Sequence, residues 1–114
     1  MQNTINYLRT YRKQTAIKQT DIAFLLDIKN NSSLAKCENG TSSPPLKTIL
    51  MYHLLFDTPV LAFFSNQREL LRETALTKIE ALIQHLKTFE QNDRVKARIE
   101  YLEQSLVRLT NEKM

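Results

Sequence analysis

Apolar side chains recur along this chain at helical rather than strand spacing. Ile5, Leu8 and Tyr11 share one stripe, which predicts a first helix over residues 3–14 with Asn3 or Thr4 able to cap its start. After the short link 15–17, Ile22, Ala23, Leu25 and Leu26 give an apolar face to a second helix over residues 19–26. Residues 27–31 read as a tight turn, because Asp27, Asn30 and Asn31 tolerate the left-handed backbone such turns use. A third helix begins near Asn31 and ends at Glu38 or Asn39, where Gly40 supplies the stop. Residues 41–45, with two prolines, are the clearest loop. Pro45 can open a fourth helix reaching about Phe56. Asp57, Thr58 and Pro59 restart the chain as a short fifth helix ending near Phe64.

The pattern changes texture after residue 66. Arg72, Ala75, Ile79, Leu82, Leu86 and Phe89 follow one another at alternating spacings of three and four, and Leu76 and Ile83 widen the stripe. From Val95 onward Ile99, Leu102, Leu106 and Leu109 repeat that spacing in a different register. Continuing the first register would place Asp93 and Lys96 in the seam. Residues 90–93 therefore read as a hinge, with Asn92 or Asp93 capping the last helix. The expected architecture is all-α. A five-helix domain spans 1–65, and a helical region spans 66–114, folded back as an antiparallel hairpin. One long helix with a phase shift, paired as a coiled coil, is the other arrangement this pattern allows. A stripe this wide needs a partner surface, so Ile79, Leu82, Leu86, Ile99, Leu102, Leu106 and Leu109 are candidate dimerisation residues. Met51, Leu54 and Leu61 are expected on the outer sides of the fourth and fifth helices, as a further interface.

Taken in order, Leu8-Arg9-x-x-Arg12, Gln19-x-Asp21-Ile22-Ala23-x-x-Leu26, Ile28, Leu34, Glu38-x-Gly40, Pro45-Leu46-x-x-Ile49, Phe56 and Phe63 make a set. In this set the chain resembles the XRE-type helix-turn-helix family of phage repressors and Cro proteins, over a little more than half its length. The resemblance implies a lambda-repressor-like fold that binds double-stranded DNA and lays its third helix in the major groove. The residues it would bring to base edges are Asn30, Asn31, Ser32 and Ser33, with Lys36 one turn later. Asn suits adenine, Ser suits several bases, and Lys suits guanine or phosphate. Gln19 would meet a phosphate at the start of the second helix, and Lys18, Lys29, Asn39, Thr41 and Lys47 would meet flanking phosphates. The resemblance also implies a structural ion pair between Arg12 and Glu38, and puts His53 at a small, buried packing position. Three departures stand out: Asp27 replaces the glycine usual at the turn, the turn is one residue longer before Ser33, and Cys37 replaces the aromatic common before the glutamate.

Composition changes this picture little. Its 42% hydrophobic and 25% charged residues place the chain of 114 among ordinary globular proteins, and a single glycine with three prolines favours helix over sheet. The net charge of +4 suits a polyanion partner without demanding one. The excess is local: seven of the sixteen Lys and Arg lie in residues 1–64 against four acids. A lone cysteine excludes an internal disulfide and fits a reducing compartment. The opening residues lack a basic, then apolar, leader, and the longest apolar run, 50–64, is too interrupted to span a bilayer. A cytoplasmic protein without a membrane segment is expected. His53, His85 and Cys37 are far apart in sequence, and no phosphate loop or nucleophile–base spacing is visible. No metal, no cofactor and no enzymatic activity are expected. The expected function is a sequence-specific transcriptional regulator, a homodimeric repressor on a palindromic site. The alternative is an antitoxin-like interaction module that holds a protein partner through its C-terminal helices.

Overall fold

The computed structural model describes residues 6–112, and among these the chain is all-helical. In order the helices are α1 (Leu8–Lys13), α2 (Gln19–Leu25), α3 (Ser32–Glu38), α4 (Leu46–Phe56), α5 (Val60–Phe63), α6 (Ser65–Leu86) and α7 (Asp93–Asn111). The chain divides into two compact units, with the boundary between Arg68 and Glu69, inside α6. The pattern-based boundary at 65/66 sits at the helix start instead.

The first unit is built from helices too short to be stable alone, so burial must hold them. Leu8, Ile22, Ala23, Leu26, Leu34, Tyr52 and Phe63 form one buried cluster, with Tyr11, Ile17, Ile28, Met51, Phe56 and Phe64 packed on it. Each large apolar side chain buried there contributes about 1.5–3 kcal/mol. Phe63 is its aromatic centre, with Tyr11, Phe64 and Tyr52 edge-on at ring-centroid separations of 5.4, 6.2 and 6.3 Å. The amide of Tyr7 donates to the carbonyl of Phe63 at 2.8 Å and fastens the start of α1 to the end of α5. Met51 therefore belongs to the core rather than to an outer face, whereas Leu54 and Leu61 are exposed.

The turns explain where the helices stop. Asp27 has φ 63° and Gly40 has φ 83°, the left-handed geometry that closes a helix. At the first, Ile28 N–H reaches the carbonyl of Ala23 (2.8 Å) and Asp27 N–H that of Phe24 (3.1 Å). At the second, Thr41 N–H reaches Lys36 (2.9 Å) and Gly40 N–H reaches Cys37 (3.3 Å). Both are Schellman closures: the first ends α2 at the turn and the second ends α3. A Cβ at Gly40 would crowd this left-handed, buried position, so Gly40→Ala should lower the free energy of unfolding in urea by about 1 kcal/mol. Asp57 repeats the device at the end of α4 with φ 48°. His53 is half-buried there, its Nδ1 2.7 Å from the Thr58 carbonyl, and it fixes the α4–α5 corner rather than filling the core. Helix α1 is shorter than the pattern predicts. It opens at Leu8, whose N–H is accepted by Asn6 Oδ1 at 3.0 Å, while the expected caps Asn3 and Thr4 lie outside the described residues.

In the second unit α6 and α7 run antiparallel, because Ile83 and Leu86 near the end of one pack with Val95 and Ile99 near the start of the other. Ile79, Leu102 and Leu106 extend the seam. Asn92 Oδ1 accepts Val95 N–H at 2.9 Å and caps α7. Helix α6 ends at Leu86 rather than at Phe89, which lies past the helix and stacks edge-on against His85 at 5.0 Å. Arg72 is not an apolar-stripe residue. Its guanidinium bonds the Leu109 carbonyl (3.1 Å) and Glu69 (3.0 Å) and lies 3.5 Å from the Glu112 carboxylate, which ties the open ends of the two helices. Of the seven candidate dimerisation residues, six line this intrachain seam or are partly buried, and Leu82 stays 39% exposed at its rim.

Candidate nucleic-acid interface

Glu38, at the end of α3, accepts four side-chain hydrogen bonds. Arg12 from α1 grips it twice, Nε donating to Oε2 at 2.7 Å and Nη2 to Oε1 at 2.9 Å. The Tyr52 hydroxyl from α4 donates to Oε2 at 2.6 Å, and Gln19 Nε2 from α2 donates to Oε1 at 2.9 Å. One buried carboxylate thus holds four helices. Burial pushes the Glu38 carboxyl up. The hydrogen bonds from Arg12, Tyr52 and Gln19, with the charge of Arg12, outweigh that and hold it below the usual carboxylate range. The Glu38 hydrogen bond in turn raises Arg12. Burial, then the Glu38 hydrogen bond, drives the Tyr52 phenol far above its ordinary value, so it stays a donor.

The network passes its orientation outward. A carboxylate only accepts, so Gln19 must turn its Nε2 to Glu38 and its Oε1 away. That oxygen accepts Asn31 Nδ2 at 2.8 Å. That bond fixes the orientation of the half-buried Asn31 side chain at the start of α3. The family resemblance implies that Gln19 meets a phosphate, but its amide is engaged inside the unit at both ends, by Glu38 and Asn31. The reason is energetic: a buried carboxylate oxygen short of donors costs more than an exposed amide gains.

The remaining candidates fall into two groups. Ser32, Ser33 and Lys36 lie exposed on α3, on the side away from the buried Leu34, Cys37 and Glu38. Lys18, Lys29 and Lys47 are exposed as well. Asn30 and Asn39 shape the backbone. Asn30 Oδ1 accepts the amide (3.0 Å) and hydroxyl (2.6 Å) of Ser32, and Asn39 Oδ1 accepts the amide of Thr41 at 2.9 Å. A cleft of about 440 Å³ opens between α1, α2 and α3, with Arg9, Lys18, Thr20 and Asn31 on its walls and the Arg12–Glu38 pair behind them.

Three contributors were missed by pattern reading. Tyr52 sits inside the interrupted apolar run 50–64 and spacing gives it no role, although a tyrosine in an apolar helix needs a polar partner for its hydroxyl. Arg9 and Thr20 line the cleft; Arg9 belongs to the repressor-like set without a role of its own, and Thr20 falls outside it. Phe24 is a further surprise: it is 83% exposed beside Lys29 and Asn30.

Cys37 is buried, and burial, then the Glu38 charge, pushes its thiol up. A protonated, enclosed thiol is inert. Cys37 should react with a thiol reagent at the rate of unfolding in native buffer and at once in denaturant, as followed by absorbance. Among the described residues no group of three or more His, Cys, Asp or Glu is placed to hold a metal ion, and no helix is long and apolar enough to cross a membrane. The chain matches no family model, no curated protein and no solved structure.

Proposed function

We propose that this protein is a sequence-specific DNA-binding transcriptional regulator of the cytoplasm. Its first unit acts as a repressor-like, XRE-type helix-turn-helix domain, and its second acts as a helical hairpin. The observation that carries the reading is the Glu38–Gln19–Asn31 chain of hydrogen bonds, which fixes a side chain at the start of α3. An asparagine that shows one N–H and one carbonyl oxygen matches the N7 acceptor and N6 donor of adenine in the major groove. Ser32, Ser33 and Lys36 share that exposed side of α3. Lys18, Lys29, Lys47 and Arg9 are exposed around it and supply the phosphate contacts that set affinity but not sequence.

A two-fold dimer would set two such helices about 34–36 Å apart, one turn of DNA, and call for a palindromic site. Because α6 and α7 bury most of their stripe against each other, the dimer contact falls to other surfaces. The exposed ridge Leu46, Leu50 and Leu54 on α4 is apolar enough to supply it.

The test is selection of bound sequences from a random DNA pool by the full chain, followed by titration of the recovered site at two salt concentrations. A shared motif, with affinity that falls steeply as salt rises, is expected. No motif and no affinity at low salt would remove the reading. Affinity without a motif would reduce it to non-specific binding. Sedimentation as a monomer at tens of micromolar would remove the dimer alone.

A further inference from the structure

The antiparallel pair α6–α7 leaves a groove of about 570 Å³ along one side, floored by Leu82, Ala97, Tyr101 and Leu102 and bordered by Arg94 and Arg98. We propose that this groove docks an acidic amphipathic helix of another protein. The proposal does not depend on DNA binding.

Three observations carry it. The floor is apolar and open: Leu82 is 39% and Tyr101 64% exposed, while only Ile83, Leu86, Val95 and Ile99 of this unit form its buried cluster. Two helices cover each other on one side only, and a third helix with an apolar stripe would turn the pair into a three-helix core.

The two charged residues that line the groove are both arginines. Arg94 and Arg98 stand four residues apart, a like-charged pair on one helix face that costs stability when nothing neutralises it. Within α7 the positions three and four away from them carry Ala97, Val95, Tyr101 and Leu102, none of them an acid. Neither guanidinium makes a hydrogen bond or ion pair with another described residue. Arg72 in the same unit has both Glu69 and Glu112. Lys78 and His85, a turn to either side of Leu82 on α6, are exposed and add no carboxylate. The partner must therefore bring the acids.

The third observation selects among occupants. A second copy seated by two-fold symmetry would bring this same face to itself and set arginine against arginine. Nucleic acid would satisfy the arginines but lay phosphate against Leu82, Tyr101 and Leu102. A helix with leucine or phenylalanine in the floor and Glu or Asp along both flanks satisfies floor and rim together, as helix-in-groove recognition requires.

The test uses the full chain and a displayed library of amphipathic helical peptides, diversified at the apolar stripe and at its flanks. Selected helices are expected to carry acidic flanks. In fluorescence anisotropy their affinity should fall at least about tenfold, a resolvable difference, against the double variant Arg94→Glu, Arg98→Glu. Both side chains are exposed, so the variant should keep the helical circular dichroism of the parent, and peptides with lysine flanks should recover binding to it. No enrichment, helices without acidic bias, or equal binding to parent and variant would overturn the proposal. So would a charge-swapped variant that instead loses DNA affinity, or a parent dimer that the swap dissociates.

Discussion

Glu38→Ala should leave the first unit largely unfolded at ordinary temperature. Removing one partner of a buried ion pair costs about 3–5 kcal/mol, because the other charge stays desolvated and unpaired. Here the loss is compounded: Arg12, Tyr52 and Gln19 all direct donors at the vacated site. A domain of roughly 60 residues holds only about 3–9 kcal/mol in total. The thermal transition of the first unit should therefore be lost or shifted far down. A Glu38→Ala protein that melted like the parent yet failed to bind DNA would place Glu38 at the DNA instead. The same carboxylate sets the acid limit. Its folded pKa lies below the unfolded value, so its contribution is complete above the ordinary carboxylate range, about 4.3, and is lost as pH falls through the depressed value. Melting curves from pH 7 down to pH 3 should show the steepest decline at the bottom of that range. In Glu38→Gln that part of the decline should be missing, from a lower starting stability.

The second large effect concerns recognition. Asn31→Ala should weaken binding to the selected site by about 1–3 kcal/mol, roughly 5- to 150-fold, and relax preference at one base pair. Binding to random DNA should barely change, because a base-edge contact carries sequence and not bulk affinity. Lys36→Ala is the useful contrast. If Lys36 touches phosphate, both kinds of DNA lose affinity together and the salt slope falls by about 1. Competition titrations with selected and scrambled duplexes separate the two. Equal losses on both duplexes for Asn31→Ala would remove it from the base-reading set.

Much of the fold is written locally. Gly40 and Asp27 announce their turns because few residues accept a positive φ, and Asn92 announces a cap because its side chain replaces a missing backbone acceptor. The break between the two C-terminal registers is equally legible, since a charged residue in the seam has no partner there.

What the sequence hides is the direction of a polar side chain. Gln19 could face a phosphate or a buried carboxylate. Only the position of Glu38, nineteen residues away, decides between them. Arg72 falls on an apolar stripe by spacing but ends up bonding a carbonyl 37 residues on. Tyr52 carries no local sign of its bond to Glu38. These contacts depend on three-dimensional closure, which periodicity does not encode.

The hydroxyl of Tyr52 has one more consequence, for anyone who would excise the α2–turn–α3 segment and graft it elsewhere. Residues 19–41 contain both helices and both Schellman closures, yet the excised piece would carry Glu38 without Arg12 or Tyr52, and Leu34 without Phe63. Its helices are seven residues each, well below the length that persists alone in water. The segment is not a portable module: its shape is lent to it by residues that come before and after it in the chain.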